Sequence, residues 1–89
     1  MANIGQGLRA NQNALSTSAE VVVPARPGRA FCEVKNTDAA INVYLGPSGV
    51  TSSDGHLLKP GEAFSFENYI GAVYAVAASG TPTVTVIEW

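Results

Sequence analysis

Chemistry-bearing side chains are scarce in this chain. Its 89 residues include one cysteine, one histidine and one tryptophan. With Cys32 alone, no intrachain disulfide can form, and Cys32 with His56 makes no Cys/His set for a structural zinc. Charge is sparse as well: 13% of residues are Asp, Glu, Lys or Arg, against about 25% in typical soluble domains. The basic residues Arg9, Arg26, Arg29, Lys35 and Lys59 are scattered, although Arg26 and Arg29 lie close, and the net charge is −2. That is not the basic stripe of a nucleic-acid binder. No run approaches the ~20 apolar residues of a membrane helix. The start, Met1 to Ala14, lacks the apolar core of a secretory signal. Synthesis in the cytoplasm is the expectation, and a free Cys32 suits a reducing compartment.

What is present is β-rich. Ala19–Val23, Arg29–Asn36, Ile41–Gly46, Ala63–Glu67, Val73–Ser79 and Pro82–Glu88 read as strands, separated by turn residues at roughly 8–12-residue spacing. The spacing predicts an all-β fold: a small antiparallel β-sandwich or barrel of about six to eight strands with an extended N-terminal arm. No segment beyond residue 16 holds a helical period. Ala30, Cys32 and Val34 share one strand face, and Ile41, Val43 and Leu45 alternate with Asn42 and Tyr44. Val73–Ser79 is apolar on both faces, which predicts a central strand covered on both sides. Ser79–Pro82 reads as a hairpin turn. Gly46–Gly61 is a long connection with Val50, Leu57 and Leu58 as internal anchors, which predicts a packed Ω-like loop.

Residues 1–16 differ from residues 17–89. They are rich in Asn, Gln, Gly and Ala, with Ile4, Leu8 and Leu15 as spaced apolar anchors. They read either as a loose terminus or as an arm docking on a neighbouring subunit. A 9.2 kDa chain should fold to an accessible surface of about 4,900 Å². Hydrophobic burial and chain entropy then nearly cancel, so a lone monomer is marginal. Without disulfide or metal, association is the remaining route to stability.

Catalytic groups do not assemble on paper. Ser52, Ser53, Asp54 and His56 crowd one loop, too close along the chain to hold a nucleophile, base and orienting acid apart. Gly46-Pro-Ser-Gly49 is followed by no Gly-Lys-Ser/Thr and is no phosphate loop. Glu62 and Glu67 fall on opposite strand faces, unlike a glycosidase pair. Asp38 and Asp54 are lone turn acids, and Cys32 sits as a small hydrophobe on an apolar face. No cofactor is expected. Tyr44, Tyr69, Tyr74 and Trp89 offer aromatic surface for a sugar platform or for core and interface packing.

Two stretches carry a resemblance. VYLGPSGVTSSDGHLLKPGE (Val43–Glu62) and GAVYAVAASGTPTVTVIE (Gly71–Glu88) resemble a pattern in small structural proteins of tailed bacteriophage virions. There, a "VYVG-SGVTSSTG-PL-PGE" stretch leads to a strand like "LYAIAASGT-TVRVLE". The likeness covers roughly residues 29–89. Asp54 and His56 stand where Thr and an aromatic or apolar residue are more usual. The resemblance implies a non-enzymatic capsid decoration (cement) protein on the head surface, bound to the major capsid protein and to itself as a homotrimer. It implies no nucleic-acid or membrane partner. A head-fibre or tail-associated role, or a host-glycan-binding module, is the alternative. The expected contact residues are Ile4, Leu8, Leu15, Tyr44, Tyr69 and Trp89.

Overall fold

The structure is a computed structural model and describes residues 7–89. Eight strands form: β1 (Arg9–Ala14), β2 (Glu20–Val23), β3 (Phe31–Asn36), β4 (Val43–Gly46), β5 (His56–Leu58), β6 (Ala63–Glu67), β7 (Val73–Ala77) and β8 (Thr83–Glu88). They make two four-stranded sheets, ordered β1-β8-β3-β6 and β2-β7-β4-β5, here called the first and second sheets. Every pairing is antiparallel, and the fold is the expected small all-β sandwich.

The core follows from period-two alternation. Cys32 and Val34 on β3, and Val84 and Val86 on β8, point inward from the first sheet. Val43 and Leu45, Leu58, and Val73, Ala75 and Ala77 meet them from the second. The branched valines suit a pleated surface packed on one side. Asn36 is fully buried among them and ties the sheets together. Its amide donates to the carbonyls of Ile41 and Leu58, both at 2.9 Å, while its oxygen accepts the Asp38 N–H at 3.0 Å.

Two expectations are corrected, and the N-terminal segment contributes a strand. Among its described residues, Arg9–Ala14 forms β1, paired along its length with β8. Its side chains are nearly all exposed, so the strand rests on its backbone ladder and leaves no alternating pattern. Ser79–Pro82 is no hairpin turn: β7 lies in the second sheet and β8 in the first, so the link crosses between them. The Gly46–Gly61 connection holds β5, which pairs with β4 as a hairpin. Val50 and Leu58 are buried there as expected, but Leu57 is exposed. Val73–Ala77 is central, lying between β2 and β4.

Candidate functional site

One end of the sandwich carries a buried ion pair that the sequence reading did not single out. The Arg29 side chain is fully buried, and its Nη1 donates to Glu88 Oε1 at 3.1 Å. Its other bonds go to backbone: Nη1 to Pro24 O at 2.8 Å, Nε to Tyr69 O at 3.0 Å, and Nη2 to Gly71 O. One guanidinium thus joins the β2–β3 link, the β6–β7 link and the end of β8. Arg26 Nη1 lies 3.7 Å from the same carboxylate, and its Nη2 donates to Gly7 O at 2.8 Å. The sequence held a signal: Glu88 falls on the inward register of Val84 and Val86, where an acid demands a buried partner. Burial raises the Cys32 thiol above its ordinary pKa, against a smaller lowering from Arg29. That keeps Cys32 an unreactive core group.

In the polar loop, Asp54 is committed to its own turn. Asp54 Oδ1 accepts from Thr51 N–H at 2.8 Å and Thr51 Oγ1 at 3.0 Å, and these bonds hold its carboxyl below the usual pKa. His56 sits on β5 with its ring 4.7 Å from that of Phe64, committed to an aromatic neighbour. Among the described residues, no three of His, Cys, Asp and Glu are grouped to hold a metal.

The sheet faces differ in character. Register places Ala10, Gln12, Thr85, Ile87, Phe31, Glu33, Lys35 and Ser65 on the outer face of the first sheet, a mixed surface that includes charged side chains. The outer face of the second sheet presents Val21 on β2, Tyr74 and Val76 on β7, Tyr44 and Gly46 on β4, and Leu57 on β5. None of these is charged. Val21 is 44% and Leu57 37% exposed, whereas Val76 is buried outside the central core cluster. The β4–β5 tip folds back onto this face. A Cβ on Gly46 would lie 2.6 Å from Val50 Cγ2, and one on Gly55 would lie 2.6 Å from Tyr44 Cβ. Both glycines therefore let Val50 seat against the sheet.

The expected contact residues do not converge. Ile4 lies outside the described residues. Leu8 is 54% exposed, but Leu15 is a core residue, which removes it from the contact set. Tyr44 lies half-buried on the uncharged face. Trp89 stacks on its own chain's Phe31, centroids 4.5 Å apart, beside the opposite sheet. Tyr69 is at the end of an aromatic row with Phe66 and Phe64, its hydroxyl donating to Ala72 O at 2.9 Å. The four aromatics considered for a sugar platform are thus spread over separate faces, with Tyr44 and Tyr74 alone sharing one. No family model, curated protein or solved structure matches the chain.

Proposed function

We propose that this chain is a non-enzymatic structural protein of a tailed-bacteriophage virion, a capsid decoration protein that binds the major capsid protein and itself as a homotrimer. The observation that carries the interaction role is the uncharged outer face of the second sheet, where Val21, Tyr44, Tyr74, Val76 and Leu57 line up across four strands. A sheet that is apolar on both sides is the pattern of a surface meant to be covered. The virion assignment rests on the likeness of Val43–Glu62 and Gly71–Glu88 to phage structural proteins.

The test is co-sedimentation with empty capsids, alongside sedimentation equilibrium of the free protein. Saturable capsid binding and a trimer mass are expected. A stable monomer at high micromolar concentration that ignores capsids would overturn the reading. A reconstruction of the virion separates decoration of the head from a head-fibre or tail position.

A further inference from the structure

The four edge strands are not equally guarded against pairing with another chain. β2 carries a register shift between Val21 and Val23, β5 is three residues long and β1 opens on Arg9. β6, Ala63-Phe-Ser-Phe-Glu67, pairs with β3 in unbroken register. It has no lysine, proline, bulge or inward charge, the devices that blunt an edge. Among the described residues nothing pairs with its outer side. Two bonds fix where its backbone groups point. Asn36 N–H donates to Glu62 O and Asn68 N–H to Ala30 O, both at 2.9 Å. Even-numbered residues of β6 therefore turn their backbone groups toward β3, and Ala63, Ser65 and Glu67 turn theirs to the open edge. The inward side is unfinished as well. Phe64 and Phe66 share the register of the buried Val34 and Cys32, yet Phe64 is 39% exposed. The two rings meet edge to face at 5.0 Å, beside a cleft of about 340 Å³ that His56 and Tyr69 help to line.

We propose that β6 pairs with β6 of a second copy, antiparallel about a twofold axis at Ser65. The strand is self-complementary in that register, which uses its whole length. Ser65 then faces Ser65 of the other copy, Ala63 faces Glu67, and Phe64 faces Phe66. Ala63, Ser65 and Glu67 are the residues whose backbone groups are free to bond across the edge. The phenylalanines fall at the narrow positions between those bonds, where cross-strand side chains approach closest. No acid opposes an acid, since each Glu67 meets an alanine. The clefts of the two copies open on the same four phenylalanine rings, so one contact covers both. Such a twofold contact is isologous, the commonest kind between identical chains. Five residues a side make a small interface, so the pairing is weak and a covalent trap reads it best. The contact lies apart from the uncharged face of the second sheet, and it does not depend on a role in a virion.

The test is disulfide trapping in the full chain. Ser65 is exposed, so Ser65→Cys leaves the core untouched, and Cys32 is fully buried and stays out of the reaction. Bonded antiparallel partners stand about 5.5 Å apart between Cα atoms, within the range a disulfide spans. On mild oxidation, Ser65→Cys should form covalent dimers several-fold faster than Ser52→Cys, which sits exposed on the β4–β5 tip and reports random collision. Register has its own arm. Ala63→Cys should link to Glu67→Cys in a mixture several-fold faster than to itself. Equal rates for the Ser65 and Ser52 variants would overturn the proposal. Self-linking of Ala63→Cys as fast as the mixed reaction would overturn it too.

Discussion

Arg29 is the side chain on which one end of the sandwich depends. It is wholly buried and serves Glu88 together with three backbone carbonyls. Removing one partner of a buried pair strands the other charge, so Arg29→Ala should cost about 3–5 kcal/mol, read as a fall in the urea midpoint. Arg29→Lys should restore little, because a single ammonium cannot span acceptors that a planar fork reaches together. Gly46 carries a steric role. Its Cβ would meet Val50 Cγ2 at 2.6 Å, so Gly46→Ala should cost about 1–3 kcal/mol by overpacking, and Val50→Ala in the same chain should recover part of it. Two turn acids contribute to the acid limb of stability. The Ala40 and Ile41 N–H groups hold the Asp38 carboxyl low, and Thr51 does the same for Asp54. Each folded pKa thus lies below its unfolded value. Their contribution is complete above the unfolded value and is lost as pH falls through the folded one. Acid titration followed by circular dichroism should show a shallower decline for Asp38→Asn with Asp54→Asn than for the parent chain. An equal slope would remove these acids from the account.

At the scale of elements, β1 decides how the N-terminal part behaves. Its ladder with β8 runs from Arg9↔Glu88 to Ala14↔Thr83, and it leads into Leu15 in the core. Leu15→Ala should cost about 2–5 kcal/mol, a large share of the stability of a small domain. Deleting residues 2–8 should leave a cooperative thermal transition. Deleting residues 2–16 should abolish it, because β8 loses its edge partner and the core loses Leu15. A folded 2–16 deletion would show that β1 is dispensable. The same element shows what the sequence disclosed. Strands β3, β4, β7 and β8 were legible, since each buries one face or both and writes that into alternation; β2 showed as a β-branched run and β6 through its paired phenylalanines, although no residue of β6 is fully buried. β1, RANQNA, is exposed on nearly every residue, so nothing in its side chains records the pairing. β5 has three residues, too few to display a period. The ion pair was half-legible: Glu88 stood in an inward register, but Arg29 comes from a turn 59 residues away along the chain. Only the sheet crossings bring them together. The uncharged face was legible in β7 alone, because its other members lie on strands whose neighbours emerge from the topology.

For the whole molecule, the accessible surface of 4972 Å² matches the roughly 4,900 Å² expected for its mass. The fold therefore buries no more than its size dictates, and the proposed homotrimer would add to that burial. Closed rings are the common solution for small soluble chains. The second sheet's outer face is where such contact removes apolar surface at least cost, since no charge there needs desolvation. Val21 and Leu57 are its most exposed members, so replacing them should spare the fold. Val21→Lys with Leu57→Lys should leave the thermal midpoint within a few degrees of the parent. The same change should weaken self-association by tenfold or more, because like charges would face each other across every symmetric contact. Trp89→Ala is the contrasting variant. Its ring is spent on Phe31 of its own chain, while the backbone N–H of residue 89, which donates to Phe31 O at 3.0 Å, survives the substitution. That change should lower stability by about 0.5–1.5 kcal/mol from the lost stacking, with a further loss of buried area, and leave the association constant nearly unaltered. Sedimentation equilibrium across a dilution series measures both. Should the two-lysine variant assemble like the parent while Trp89→Ala falls apart, the association surface is the other sheet, with Trp89 at its centre.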